Sequence, residues 1–158
     1  MMMELIKVRD KEHLIIIRQL FLEYAESLGF SLCFQDFDKE IAGLPGEYAP
    51  PTGCLLLAVV DSTPCGCVAL HKLEEGICEM KRLYIKPEFR RRGFGKSLVN
   101  TVIDEAKKNG YIKMRLDTVP LMKEAITLYH SIGFYEIEPY RENPIDGAFY
   151  MELDLKPK

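Results

Sequence analysis

The feature that most constrains the fold is a basic octapeptide with two glycines, Arg90-Arg91-Arg92-Gly93-Phe94-Gly95-Lys96-Ser97. It joins an apolar-rich segment, 77–85, which predicts a strand, to residues 98–108, whose apolar spacing predicts a helix. The first N–H groups of a helix have no intrahelical acceptor, and the helix dipole adds partial positive charge there. The two glycines let an anion approach the main chain, because no Cβ intervenes. The octapeptide therefore predicts a phosphate-binding turn between a strand and a helix.

Composition sets the class of protein. The chain has 158 residues, nearly half of them apolar, which predicts one globular domain over residues 1–158. Its net charge is −3 and its one basic run is the triple arginine, which argues against nucleic acid as a partner. No apolar run has the length of a membrane span, and residues 1–9 do not have the layout of a signal peptide. These observations predict a cytoplasmic protein without a membrane partner.

Five cysteines are present, Cys33, Cys54, Cys65, Cys67 and Cys78. An odd count without a secretion signal predicts reduced thiols. No second Cys/His pair lies at zinc-ligand spacing from Cys65 and Cys67, so no metal site is predicted. We interpret all five as small buried hydrophobic residues.

Periodicity, turn residues and helix caps predict eleven elements. In chain order they are a strand, two helices, three strands, a helix, a strand, a helix and two strands. Hairpins interleaved with helices predict a mixed α/β fold, with a central, mostly antiparallel sheet of about seven strands and helices on both faces. The predicted strands are 4–8, 54–60, 65–71, 77–85, 111–117, 134–137 and 148–155, and the predicted helices are 11–27, 36–42, 98–108 and 121–131.

Three motifs carry a resemblance to a known family. The pattern Arg90-x-x-Gly93-x-Gly95 resembles the coenzyme A pyrophosphate loop of the GNAT N-acetyltransferase superfamily. The segment Leu83-Tyr84-Ile85-Lys86-Pro87 resembles the fourth strand of that family and its exit. Residues 125–134 resemble the family's helix that ends in leucine-tyrosine and continues to glycine-phenylalanine. The chain is therefore identified as a member of that superfamily.

The resemblance implies an enzyme that uses acetyl-coenzyme A as co-substrate and moves the acetyl group directly to a primary amine. The pantetheine arm would lie between the strands 77–85 and 111–117, against the backbone of Leu83, Tyr84 and Ile85. The octapeptide would hold the pyrophosphate. Short loops favour a small or amino-acid-like acceptor. A protein or peptide amine as acceptor, and a coenzyme A-binding module without turnover, are the alternatives.

Two side chains are catalytic candidates by their place in the resemblance. Glu79 lies on the strand before the octapeptide, where a carboxylate can take the proton of the amine. An ion pair with Lys81, Arg82 or Arg115, or simple exposure to solvent, is the equal alternative. Tyr129 lies where the family often has a tyrosine that protonates the departing thiolate. A core tyrosine on an amphipathic helix is the alternative for this residue.

The sequence leaves several other assignments open. His71 is an alternative base. Arg82 and Arg115 are candidates to bind a substrate carboxylate, or are solvated charges at strand edges. A homodimer is one of several assemblies that such a fold supports.

The loop between the last two strands contains Tyr140, Arg141 and Asn143, which either cover the acceptor or form a surface loop. Met122 stands where the family often has an asparagine that binds the coenzyme arm, so that polar contact is not predicted here.

Overall fold

The computed structural model describes residues 3–28, 36–120, 122–143, 145 and 147–156. The predicted order of elements is confirmed, with boundaries that differ by a few residues. Leu121 and Gly29, which the sequence placed at helix ends, lie outside the described residues, as does Cys33. The strands are β1 (Met3–Lys7), β2 (Cys54–Val60), β3 (Thr63–Glu74), β4 (Ile77–Ile85), β5 (Lys113–Thr118), β6 (Tyr135–Ile137) and β7 (Phe149–Asp154), and the helices are α1 (Lys11–Leu28), α2 (Phe37–Gly43), α3 (Phe94–Lys108) and α4 (Lys123–Ile132).

The strands form one seven-stranded sheet in the order β1-β2-β3-β4-β5-β7-β6. Every neighbouring pair is antiparallel except β4 and β5, which run parallel. A parallel pair needs a crossover, and α3 supplies it between these two strands. The predicted mixed, mostly antiparallel sheet is thus confirmed.

The helices cover both faces of the sheet. On one face, α3 and α4 pack through residues such as Leu98, Val102 and Leu128 against the apolar side chains of β2 to β5 and β7. On the other face, α1 and α2 pack through Ile17 and Phe37, among others, against β2 and β3. The alternation of side chains along a strand produces these two cores, since successive residues point to opposite faces.

A β-bulge interrupts β4. Tyr84 pairs with Cys67 and Lys81 pairs with Ala69, so Arg82 and Leu83 together lie opposite Val68 on β3. Arg82 has φ of 62°, a left-handed conformation that the extra residue of a bulge imposes. The bulge turns Lys81 and Arg82 toward the same side of the sheet, the side of α1 and α2.

The parallel pair β4–β5 is short. Pairing covers only Ile77–Glu79 on β4 and Lys113–Arg115 on β5, and within the described residues the two strands have no further pairing beyond that point. The strands therefore diverge after Glu79 and Arg115 and leave an opening in the sheet. In this opening the main-chain groups of the two strands do not pair with each other among the described residues, and buried main-chain groups need another partner.

Two findings concern the described part of the chain as a whole. Cys54, Cys65, Cys67 and Cys78 are buried free thiols, in agreement with their interpretation as core residues. No helix among the described residues combines the length and the apolar character that a bilayer crossing requires.

Candidate active site

A cleft opens between β4 and β5 where the strands diverge. Its walls come from β4, from β5 and the residues that follow it, from α1 and α4, and from the loop between β6 and β7. It thus brings together segments from five parts of the chain. The lining residues are Tyr24, Leu28, Met80, Lys81, Arg82, Leu83, Leu116, Asp117, Thr118, Val119, Met122, Tyr129 and Asn143.

Glu79 lies in the last residue pair of β4 and β5, at the point where the two strands begin to diverge. Its side chain is fully buried, and three donors hold it. His71 Nε2 lies 2.7 Å from Oε1, Tyr140 Oη lies 2.6 Å from Oε2, and Arg141 Nη2 lies 2.7 Å from Oε2. The ion pair of Glu79 is therefore with Arg141 and not with Lys81, Arg82 or Arg115, the three partners considered from the sequence.

These contacts decide the charge of Glu79. Burial by itself raises the pKa of this carboxyl, but the hydrogen bond from His71, the charges of Lys81 and Arg141 and the hydrogen bond from Tyr140 outweigh it and lower the pKa to about 2. Glu79 is therefore ionised at neutral pH and can only accept hydrogen bonds. It follows that His71 carries a proton on Nε2, the atom that contacts Glu79.

His71 links this cluster to the surface. Its Nδ1 is buried, has no hydrogen bond within the described residues, and lies 3.6 Å from Oε2 of Glu47, whose side chain is mostly exposed. The ring also makes an edge contact with Tyr48, with the ring centroids 5.8 Å apart. His71 is thus an imidazole between a buried carboxylate and an exposed one, with a free nitrogen facing the exposed one.

Tyr129 lies on the opposite wall of the cleft. The residue is 7% exposed, and burial raises the pKa of its phenol. The phenol is therefore protonated at neutral pH. Met122, seven residues earlier, is at the N-terminus of the same helix and also lines the cleft. An apolar thioether thus occupies the position where the resemblance implied an asparagine.

Lys81 and Asp117 face each other across the opening. Each lies two residues beyond the last pair, Glu79 and Arg115, on its own strand, and so on the same face as that pair. Burial and the charges of Arg82 and Arg141 lower the pKa of Lys81, and the charges of Glu79 and, more weakly, Asp117 oppose that effect, so Asp117 is within electrostatic reach of Lys81. They form no ion pair within 4 Å among the described residues. Asn143 donates from Nδ2 to Oδ2 of Asp117 at 3.2 Å.

Arg82 and Arg115, the sequence candidates for carboxylate binding, are committed to other groups. Arg82 binds Glu40 of α2 through two hydrogen bonds of 2.9 and 2.8 Å, and its side chain is almost completely buried. Arg115 donates from Nε to Glu152 at 2.8 Å and lies 3.9 Å from Glu74. These arginines are neither free for a ligand nor solvated charges at strand edges.

The octapeptide forms the end of α3 nearest to the cleft. The helix begins at Phe94 and not at Leu98 as the spacing predicted, so the last four residues of the octapeptide belong to the helix. Gly93 has φ of 80° and starts the helix in a conformation that favours glycine. A Cβ at Gly95 would meet Leu128 at 3.6 Å and Ile85 at 3.9 Å, so this glycine lies against the core. The N–H groups of the first turn have no intrahelical acceptor.

The arginines of the octapeptide differ in their surroundings. Arg90 donates from Nε to the carbonyl of Ile85 at 2.9 Å, which folds the turn back on the end of β4. Arg91 is exposed and lies 3.8 Å from Glu124, also exposed, which is a weak pair. Arg92 stacks on the ring of Phe89, with 5.5 Å to the centroid. The turn thus carries a positive potential in front of the N-terminus of α3.

Comparisons with known proteins agree with this geometry. The sequence model of the acetyltransferase (GNAT) family matches residues 15–134. An uncharacterised N-acetyltransferase of Schizosaccharomyces pombe is 42% identical over 140 residues, which cover 87% of this chain and 86% of the relative. N-acetylaspartate synthetase of Danio rerio is 30% identical over 117 residues, which cover 73% of this chain and 42% of the relative.

A solved structure shows the same fold. PaiA N-acetyltransferase of Thermoplasma acidophilum, in complex with coenzyme A, superposes with a TM-score of 0.74 at 22% identity, over 98% of this chain and 99% of that one. The likeness covers the sheet together with the helices on both of its faces.

Proposed function

Because the chain belongs to the acetyltransferase (GNAT) family, we propose that it moves an acetyl group from acetyl-coenzyme A to a small, amino-acid-like amine bound between β4 and β5. The chain is an acyltransferase with acetyl-coenzyme A as its co-substrate. The observation that carries the proposal is the cleft, which has a protonated phenol on its wall, an ionised carboxylate in the last strand pair before it opens and the N-terminus of α3 beyond the end of β4.

The octapeptide is the proposed site of the pyrophosphate. The first turn of α3 offers main-chain N–H groups and the positive end of the helix dipole, and both favour an anion. The pantetheine arm is proposed to lie along β4 at Leu83, Tyr84 and Ile85, where β5 has diverged and no longer pairs with β4. Main-chain donors held in the bulge of β4 would polarise the thioester carbonyl.

Proton transfer is proposed to run from the amine to the enzyme and from the enzyme to sulfur. The amine nitrogen attacks the thioester carbonyl carbon and the C–S bond breaks. One proton of the bound ammonium goes to the Glu79–His71 pair before the attack, directly or through water, and ends as an imidazolium between two carboxylates. The proton that nitrogen loses after the attack passes through water to Tyr129 and replaces the one that Tyr129 gives to sulfur. Tyr129 donates the proton that the departing thiolate needs. Glu79 alone is a weak base, because three hydrogen bonds stabilise its ionised form.

A small, amino-acid-like acceptor is supported by one relative and by the cleft. The Danio rerio relative is named for a product of aspartate, an amino acid. The cleft is walled on the α1 and β6–β7 sides by Tyr24, Leu28 and Asn143, which leaves a confined space beside Lys81. An open groove that admits an extended peptide would instead favour a protein amine.

The test is release of free coenzyme A thiol from acetyl-coenzyme A with a panel of amines. Glu79→Gln and His71→Gln are each expected to lower turnover on the order of 10²-fold or more. Glu75→Gln is the matched control, because Glu75 is an exposed carboxylate bonded to Lys72. If the turnover rate already falls with decreasing pH above about pH 5, protonation of Glu79 is not the cause, since the pKa of Glu79 is about 2. Calorimetric binding of acetyl-coenzyme A without thiol release for any amine would identify a non-catalytic module.

A further inference from the structure

The cations near the cleft differ in whether they already have a partner. Arg82 is bonded to Glu40 and Arg141 to Glu79, each at 2.8 Å or closer. Lys81 also lines the cleft, yet it forms no hydrogen bond or ion pair with any described residue. Its ammonium group is the cation of the cleft that a ligand can neutralise.

The position of Lys81 shows where such a ligand would lie. Lys81 lies two residues after Glu79 on β4, so its side chain is on the face of Glu79, and the bulge at Arg82 and Leu83 follows it directly. Asp117 occupies the equivalent position on β5, and the two residues face each other where the strands have diverged. A partly buried ammonium and a partly buried carboxylate that oppose each other without contact are complementary to a molecule that carries both charges.

We propose that Lys81 and Asp117 form a receptor for a zwitterion, so that the acetyl acceptor is an amino acid whose carboxylate binds Lys81 and whose ammonium group approaches Asp117. This inference rests on the proposed function. Asn143, from the loop that also supplies Tyr140 and Arg141 to Glu79, holds Asp117 in place through its amide. The amine is thereby directed to the part of the cleft next to the Glu79–His71 pair, which takes its proton before it attacks the thioester.

An isolated charge in this place is costly without a ligand. An ammonium group removed from water loses hydration, and a structural role would normally provide a partner within hydrogen-bond distance. The two arginines nearby have such partners, bonded in the folded chain. Lys81 has no such bond to any described residue, and the partner of Asp117 is the neutral amide of Asn143, so neither charge is neutralised by a bonded partner.

The experiment compares L-amino acids with their primary amides as acceptors in the thiol-release assay. Each pair shares the amine and the side chain and differs in the carboxylate, and kcat/KM is calculated for the deprotonated amine because the amide changes the basicity of that amine. Wild-type protein is expected to prefer the acid by about 10- to 100-fold, as a charge-assisted hydrogen bond to a carboxylate would give. Equal use of acids and amides would overturn the inference and leave the proposed function intact.

Variants assign the preference to its residues. Lys81→Met keeps the length of the side chain and removes the charge, so it is expected to raise KM for the acid about 10- to 100-fold relative to KM for the amide. Any change in kcat that acts through Glu79, whose pKa Lys81 helps to lower, should be the same for acid and amide. Lys81→Arg should restore part of the preference. Asp117→Asn should weaken the use of acid and amide alike, since both carry the amine. Lys72→Met, at an exposed lysine bonded to Glu75, is the matched control.

The outcomes separate the two proposals. An equal loss for acid and amide in Lys81→Met would give Lys81 a structural role and overturn the receptor, and thermal unfolding of each variant would show whether the loss is one of folding. If the wild-type protein acetylates no amine at all while it binds acetyl-coenzyme A, the proposed function fails, and the receptor fails with it.

Discussion

The buried carboxylate of Glu79 makes a quantitative prediction about acid stability. Its folded-state pKa is lowered from the ordinary value of 4.5 to about 2, because His71, Lys81, Arg141 and Tyr140 together outweigh the cost of burial. A group whose pKa is lower in the folded state stabilises the fold above its unfolded pKa. That stabilisation is lost as pH falls toward the folded pKa, since the unfolded chain then binds the proton more readily.

The magnitude follows from the two pKa values. The step from 4.5 to about 2 corresponds to about 3 kcal/mol of free energy of unfolding when Glu79 is ionised in both states, at ~1.36 kcal/mol per pKa unit. About 1 kcal/mol of this remains near pH 3, so about 2 kcal/mol is lost between about pH 6 and pH 3. No discount for solvent screening applies, because the side chain is fully buried.

The measurement is the free energy of unfolding from urea titrations at several pH values between 6 and 3, for wild type and Glu79→Gln. The variant is expected to be less stable at neutral pH, since Arg141 loses its partner, and to lose about 2 kcal/mol less than wild type as pH falls. Glu75→Gln, at a fully exposed carboxylate, is the control and should follow wild type. Parallel pH curves for wild type and Glu79→Gln would refute the assignment of an ionised, strongly bonded carboxylate.

Three further predictions concern the acid, the coenzyme turn and the bulge. Tyr129→Phe should lower kcat about 10- to 100-fold with unchanged affinity for acetyl-coenzyme A, because the hydroxyl is the proposed proton donor; unchanged turnover in steady-state assays would remove it from the mechanism. Gly93→Ala should cost about 1 kcal/mol of stability and weaken coenzyme binding in calorimetry. Gly110→Ala is the control: Gly110 has φ of 86° and an equally open surrounding, so its substitution should cost the same stability and leave coenzyme binding unchanged. Equal coenzyme affinities of the two variants would contradict the proposed turn. Glu40→Gln should destabilise the fold by about 3 kcal/mol in urea unfolding, because it leaves the buried guanidinium of Arg82 without its charged partner. A loss of stability below about 1 kcal/mol would show that the pair is not buried in solution.

Local patterns in the sequence were sufficient for the elements and their order. The spacing of apolar residues in 98–108 and 54–60 predicted a helix and a strand that the structure contains, since burial of one face or of a whole strand leaves a direct trace in the sequence. The start of α3 was placed four residues late, at Leu98 instead of Phe94. Gly95, Lys96 and Ser97 in the first turn have no apolar side chains, so the apolar pattern did not include that turn.

The partners of Glu79 were only partly predictable. His71 and Tyr140 were each considered near the acceptor, but the sequence offered no reason to join either of them to Glu79. His71 reaches it because β3 and β4 pair in a register that sets the two residues opposite each other. Tyr140 lies 61 residues away in the chain and reaches it through the loop between β6 and β7.

Asp117 was missed, although a usable signal existed. Arg115 and Asp117 alternate on β5 as Glu79 and Lys81 do on β4, and polar residues at every second position of two sheet strands indicate a shared polar face. What the pattern lacked was the register of a parallel pair, which depends on the crossover through α3 and not on either strand alone.

By itself the sequence determined which segments become helices or strands, and it placed a basic, glycine-bearing turn between β4 and α3. Those properties depend on neighbours a few residues apart. The tertiary structure alone decided that β4 bulges at Arg82, that β4 and β5 separate after three pairs, and that Lys81 then faces Asp117 with no bond between them. Bulge, separation and opposing charges arise from contacts between distant segments, whose energies no single stretch of sequence contains.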